Sequence, residues 1–367
     1  MSNIRHQVGK GGLEKMRFKA KSCIIFGVLL MGLNWFPPIA QADSTINFGV
    51  QAEIPENQID KKQTYFDLQM SAGKKETIYV DVSNPTNSKV TVEVEVNSAT
   101  TNDNGIIDYS EGNKKPDKTL KYDMKDIVKY DKEFQLAPKE TKKVPIEITM
   151  PESTYDGIIL GGINFQQKET EVSATENEEK DKSMVENRYS YIIGLKLTET
   201  TNEVTPDMKL KSIKPGQYNY ANYVKVNLQN PTSTMISNLK IDGKVYKDGS
   251  KEVLHETKKE KLSMAPNSNF NYKIDWENQA FKSGNYRLKM TATDGEHTWK
   301  WDEQFTIDKK DAQKYNNQAV NLEKDYTWLY IVLGVIGLLL LLLLVFLLGR
   351  RSSKKKEQGI KEKETKE

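Results

Sequence analysis

Cysteine is all but missing from this 367-residue chain: Cys23 is the single one, and it lies in an apolar segment near the N-terminus. Past that segment neither disulfide nor thiol chemistry is open, so the folded part has to rest on sizeable apolar cores. Histidine is nearly as scarce, His6, His255 and His297 being the full set. No Gly-x-Ser-x-Gly, His-Glu-x-x-His or phosphate-loop motif occurs, so catalysis by those routes has no support and no cofactor or metal is implied. Carboxylates are plentiful, yet most fall on solvent-facing positions of alternating runs, and spacing alone singles out no acid–base pair. A basic excess is lacking where the chain folds. Of 54 Lys/Arg and 51 Asp/Glu, 6 and 1 lie in residues 1–42 and 8 and 4 in residues 349–367, which leaves 40 against 46, a net charge of −6, for the body between. That balance carries no nucleic-acid footprint.

Long apolar runs are equally few. Trp328–Leu348 is uncharged and built almost wholly from Leu, Ile, Val, Gly and Phe. As a helix its 21 residues reach about 32 Å, enough to cross a hydrocarbon core roughly 30 Å thick. Tyr326, Trp328 and Tyr330 make an interfacial aromatic belt, and Arg350, Arg351, Lys354, Lys355 and Lys356 mark the following side as cytoplasmic. The other run, Cys23–Phe36, follows Lys10, Lys15, Arg17, Lys19 and Lys21 and ends at Pro37-Pro38. With Ala40-Gln41-Ala42 after it, it reads as a cleaved secretory signal with Asp43 first in the mature chain; a second membrane helix is the alternative, but the run is short. Met16 is a possible downstream start.

Between these ends the pattern is β. Ile78, Val80 and Val82 share one face, as do Val90, Val92, Val94 and Val96, and Phe270, Tyr272, Ile274 and Trp276, with Lys, Glu, Thr and Asn opposite. One wet face per sheet suits a two-sheet sandwich. An internal repeat makes two of them. Asn84-Pro85-Thr86 and Asn230-Pro231-Thr232 each separate two alternating runs, and Leu136-Ala137-Pro138 and Met264-Ala265-Pro266 each introduce a later strand. The spacing between these landmarks is longer in the first half, which places an insertion around Thr100–Tyr130, polar and without strand alternation. Insertions on a rigid sandwich are where binding usually resides. A second insertion, 166–187, reads as a mobile, solvated hairpin tip. The expected class is therefore all-β: two tandem immunoglobulin-like β-sandwich domains followed by a single C-terminal transmembrane helix. The expected division is a signal peptide over 1–42, a first sandwich over 43–200 with insertions 100–130 and 166–187, a linker 201–206, a second sandwich 207–308, a polar stalk 309–327, a membrane helix 328–348 and a basic cytoplasmic tail 349–367.

Three local features invite a binding reading. Asn102–Asp108 partly imitates a calcium loop, but Thr100 stands where the first carboxylate belongs and no flanking helices are expected, so an Asn104-Gly105 turn is the simpler reading. Trp299 and Trp301 are ring systems that stack on sugars or anchor interfaces. Their parity with Phe305 and Ile307 places them at a core or its rim. Tyr218, Tyr220 and Tyr223, near the turn Lys214-Pro215-Gly216, are open to packing or contact alike.

A resemblance then enters. Phe48-Gly49-Val50-Gln51-Ala52-Glu53-Ile54-Pro55-Glu56-Asn57-Gln58, Tyr65-Phe66-Asp67-Leu68 and Thr101–Tyr109 resemble the peptidoglycan-binding first domain of WxL-interacting proteins of Gram-positive bacteria. Lys214-Pro215-Gly216, Asn227–Pro231, Met264–Phe270 and Thr298-Trp299-Lys300-Trp301 are similar to that family's host-binding domain. The resemblance covers about residues 46–308 and continues through the anchor. It implies a surface scaffold whose first domain associates with peptidoglycan and whose second meets host extracellular matrix or partner proteins. The chain has no Trp-x-Leu of its own, so a WxL-motif surface protein is its implied partner. Asn102, Asn104, Asp108 and Tyr109 are the candidate ligand-binding residues for the wall, and Trp299 and Trp301 for the second domain; no binding residue is carried over from the family. A wall-processing enzyme and a membrane-tethered assembly factor that adds a client strand at a sheet edge are the rival classes.

Overall fold

The computed structural model describes residues 47–168, 190–323 and 326–364. The signal segment and all but the first residues of the second insertion lie outside them. Alternation becomes strands throughout. The first half runs β1 (Gly49–Glu53), β2 (Phe66–Gln69), β3 (Lys75–Ser83), β4 (Val90–Ser98), a short hairpin of β5 (Thr100–Thr101) and β6 (Ile107–Asp108), a helical turn α1 (Met124–Ile127), β7 (Val128–Tyr130), β8 (Glu133–Leu136), β9 (Thr141–Thr149), β10 (Ile158–Gln167) and β11 (Ser190–Thr198). One sheet has the order β1-β3-β9-β7, the other β2-β11-β10-β4-β8. All pairs are antiparallel except β2 on β11. The inward residues of both sheets form one core: Ile78, Val80 and Val82 meet Val92, Val94 and Val96, with none of the six more than 4% exposed. A buried Val contributes roughly 1.5–3 kcal/mol over an exposed one, so this parity holds the sheets face to face without any cross-link.

The second half runs β12 (Lys209–Tyr218), β13 (Ala221–Asn230), β14 (Ile236–Lys247), β15 (Val253–Met264), β16 (Ser268–Asp275), β17 (Gly284–Thr293) and β18 (Thr298–Ile307). Its sheets are β12-β13-β16 and β15-β14-β17-β18, antiparallel throughout, around a separate core that includes Val226, Tyr272, Trp276 and Leu288. Two sandwiches in tandem, mostly strand, are thus the architecture.

The repeated Asn-Pro-Thr is a corner clamp. Asn84, 1% exposed, donates from Nδ2 to the Ser88 and Ala137 carbonyls at 2.7 and 2.9 Å, while its Oδ1 accepts from the Thr86 amide and hydroxyl at 2.9 and 2.7 Å. Asn230 repeats the arrangement with Thr234, Ala265 and Thr232. The landmarks recur in sequence because each Asn is bonded directly to the Ala of its Ala-Pro turn.

Two stretches differ from expectation. The insertion over 100–130 is not bare loop. Asp123 caps α1 by accepting from the Lys125 amide, Met124 and Ile127 are buried, and Val128–Tyr130 pairs with β9. Its strand is only three residues long, too short for alternation to be visible. Likewise the expected stalk begins as a helix, α2 (Lys309–Gln318), with Asp308 as N-cap and Ala312 buried. Tyr315 packs edge-on to Phe281, and Asn316 exchanges hydrogen bonds with the Phe281 amide and carbonyl. Polar composition hid this docking because one Ala and one Tyr supply its apolar contact. A final helix, α3 (Thr327–Glu364), contains Trp328–Leu348, the one segment among the described residues long and apolar enough to cross a membrane, and none of that segment is buried against protein.

Candidate functional site

The first insertion sits at the junction of the two sandwiches. In the β5–β6 hairpin, Asn102 Oδ1 accepts from the Asn104 and Ile106 amides at 3.0 and 3.3 Å, and Gly105 takes φ 73° to close the turn. Asp108 Oδ1 accepts from the Ser110 amide and hydroxyl at 2.8 and 2.7 Å. Burial would raise the Asp108 carboxyl, but the Ser110 and Asn102 hydrogen bonds and the Lys114 charge together hold it below the usual range. Both side chains therefore shape the hairpin, and Asn104, like Ile106, is exposed on it. Among the described residues no three His, Cys, Asp or Glu side chains form a cluster that could hold a metal ion.

The hairpin tip docks on the second sandwich. Thr101, 0% exposed, accepts from the Ala265 amide at 3.0 Å and shares a 2.6 Å hydrogen bond with the Ser268 hydroxyl. Asp103 accepts from the Asn271 amide at 3.0 Å, and the Gly105 carbonyl from the Ser263 amide at 2.8 Å. Further along, the two oxygens of Asp117 take Gln229 Nε2 at 2.7 Å and Asn269 Nδ2 at 2.5 Å. A small apolar cluster of Ala99, Leu160 and Ala265, with Tyr109 and Met235 against it, seals the contact. The polar insertion is polar because its partner surface, rich in Asn, Gln and Ser, is polar too. Between the insertion and residues 267–269 lies a cleft of about 360 Å³ lined by Asn113, Lys114 and Lys115 among others.

Tyr109 alone of the four wall candidates reaches an open sheet face. On the outer side of the five-stranded sheet, Gly194, Gly162 and Asn97 are cross-strand neighbours, and Tyr65, just before β2, lies beside Gly194. A Cβ on Gly162 would lie 2.7 Å from Tyr109 Cβ, and one on Gly194 would meet Tyr65 Cβ at 3.5 Å. The two tyrosines thus lie over a glycine floor. Each is set by a buried amide side chain: Gln58 donates to the Tyr65 carbonyl at 2.9 Å and accepts from the Asp67 amide, and Asn97 donates to the Tyr109 carbonyl at 3.3 Å. The groove between them measures about 340 Å³ and is closed by Thr64, Ile192, Lys196 and, from the second sandwich, Met235. Burial pushes the Tyr109 phenol up, and the Tyr65 phenol nearby adds to it. Lys196 is matched by Asp67, 3.1 and 3.2 Å from its two oxygens.

Trp299 and Trp301 lie on β18, a sheet edge, half-buried against the second core, with His297 stacked on Trp299 at 6.0 Å. Tyr218 and Tyr220 are exposed, and Lys273 Nζ stands 3.5 Å over the Tyr218 ring. Sequence reasoning reached Tyr109 but missed Tyr65, Gly162 and Gly194. The signal was Gly161-Gly162 and Gly194 inside strand-like runs, which points to a close approach of another chain segment.

Comparison with known proteins returns two family models. The WxL Interacting Protein peptidoglycan binding domain matches residues 48–167, and the WxL Interacting Protein host binding domain matches residues 180–317. A comparison with curated proteins gives no match. Among solved structures, the chain is similar to the E. coli chaperone DraB (14% identity, 71% of this chain and 98% of that one, TM-score 0.27). It is similar as well to the Salmonella enterica SafA pilin in complex with the SafB chaperone (12%, 70% and 98%, 0.28). A third is the CsuC–CsuE chaperone–tip adhesion subunit complex of Acinetobacter baumannii (13%, 64% and 93%, 0.30).

Proposed function

This chain belongs to the WxL-interacting protein family, and from that premise we propose that it is a non-catalytic, membrane-anchored scaffold of the cell surface. The first sandwich binds peptidoglycan; the second binds host matrix or a WxL-motif partner. The observation that carries this reading is the order of parts in one chain: a match to a peptidoglycan binding domain, a match to a host binding domain, then Trp328–Leu348. Leu338 to Leu344 of that helix each expose more than half of their surface, an apolar area that water does not tolerate and a bilayer does. With α3 in the membrane and the basic residues after it inside, both sandwiches stand outside, held to the wall without covalent attachment.

Within this reading the inserted loop is the wall-facing element. Asn102 and Asp108 hold its shape, Asn104 is offered at its tip, and Tyr109 makes contact on the sheet face. Trp299 and Trp301 give the second sandwich a half-exposed aromatic edge. Full-length protein in detergent, mixed with purified wall sacculi and separately with WxL-motif proteins and matrix proteins, is expected to co-sediment with the sacculi and to capture at least one protein of the other two classes. Retention of all of the protein in the supernatant, with no capture, removes the proposal; release of soluble muropeptides during incubation replaces it with an enzymatic one.

A further inference from the structure

We propose that the groove floored by Gly194 and walled by Tyr65 and Tyr109 is the subsite for the glycan strand of peptidoglycan, taking an N-acetylated hexosamine ring; the assignment rests on the wall-binding reading above. The first argument is shape. Outward positions of a central strand normally carry side chains. Here two adjacent strands place glycine at directly paired positions, Gly162 opposite Gly194: Tyr109 settles onto Gly162, while Gly194 stays as the groove floor beside Tyr65. The resulting volume, about 340 Å³, falls in the range of roughly 300–1,000 Å³ of small-ligand clefts.

The second argument is chemical. A pyranose ring presents C–H faces that pack on aromatic rings, and hydroxyl and acetamido groups that need donors and acceptors at the edge. Tyr65 and Tyr109 supply both, Thr64 adds a hydroxyl, and exposed Ile192 and half-buried Met235 offer apolar surface to an acetamido methyl. Charge separates glycan from peptide. Lys196 is the only charged residue lining the groove, and Asp67 neutralises it. A stem peptide with its carboxylates would need an unmatched cation, whereas a neutral sugar needs none.

The third argument is preorganisation. Gln58, 5% exposed, and Asn97, 1% exposed, fix the main chain of the two tyrosines before any ligand arrives. Binding then orders little that is not already ordered, which is how a small neutral contact area yields useful affinity. Repetition along a glycan strand multiplies it, because many anchored copies meet many sugars.

The test titrates full-length protein in detergent with wall glycan chains stripped of stem peptides, and separately with the freed stem peptides. Wild type is compared with Gly194→Val, which fills the floor, and Tyr65→Ala, which removes a wall. Wild type is expected to bind the stripped chains, and each variant to lose roughly ten-fold or more in affinity, with the unfolding temperature of Gly194→Val unchanged. Should Gly194→Val unfold early, Tyr65→Ala carries the test, since its side chain is 36% exposed. Equal binding by wild type and both variants, or wild-type binding to stem peptides alone, overturns the groove while wall binding stands. Failure of the wild type to bind both stripped chains and intact sacculi overturns wall binding, and the groove with it.

Discussion

Asn84 and Asn230 occupy equivalent corners, each using its carboxamide for at least four hydrogen bonds inside a site no more than 1% exposed. Removing such a side chain strands several main-chain groups at once. Asn230→Ala is expected to cost about 2–4 kcal/mol, read as a lowered urea midpoint; a loss under about 1 kcal/mol would mean that water replaces the amide. His255 makes a second residue-level prediction. It is 1% exposed, its ring lies 4.1 Å from Trp276 at a 38° tilt, the Glu277 carboxylate stands 3.8 Å from Nδ1, and among the described residues neither ring nitrogen finds a hydrogen-bond partner. Burial pulls its pKa down to about 4, against a partial upward pull from Asp275. The folded state thus favours neutral imidazole. Above about pH 6.5 folded and unfolded forms are both neutral and the group is silent. As the pH falls towards 4 the unfolded chain takes up a proton that the folded one refuses, and stability drops by on the order of 3 kcal/mol. His255→Phe, which keeps a ring against Trp276, is expected to remove that slope between pH 6.5 and 5; identical wild-type and variant slopes would contradict it.

Among elements, the insertion over 100–130 has changed role relative to its appearance. Its polarity suggested a free binding loop, yet Thr101, Asp103, Gly105 and Asp117 all bond across to the second sandwich. The two modules are therefore braced by the hairpin as well as by the chain between β11 and β12. Thr101→Val combined with Asp117→Ala leaves the Ala265 amide, Gln229 and Asn269 without these partners, a loss of roughly 1–3 kcal/mol for the orphaned groups. Limited proteolysis is expected to cut within residues 200–206 several-fold faster in that variant. Cleavage at the wild-type rate would show that the apolar contact of Leu160, Ala265 and Met235 suffices. Of this site, hairpin and turn were legible, because Asn-Gly between β-branched residues has a local cause. The docking was not, because its partners lie more than 100 residues away and no local pattern encodes which polar face meets which. Tyr65 escaped notice for the same reason: its role depends on Gly194 in strand β11, which becomes its neighbour only once the sheet closes.

For the whole molecule, orientation is the property most open to a direct check. Intact cells treated with protease are expected to lose the sandwiches and to keep a small fragment carrying the C-terminal basic segment; loss of that segment while the sandwiches survive would reverse the proposed topology. Sequence alone determined the parts whose cause is local or periodic: strands from alternation, two modules from the repeated Asn-Pro-Thr and Ala-Pro landmarks, and the apolar helix from a long uncharged run. It did not determine that α2 folds back on the second core, that the insertion braces the modules, or that Gly194 floors a tyrosine-walled groove. Those features depend on residues far apart in the chain meeting across sheets and between modules. Only closure of the tertiary structure sets which side chains share a space, because the free energy of burial and of polar pairing belongs to the contact and not to either residue by itself.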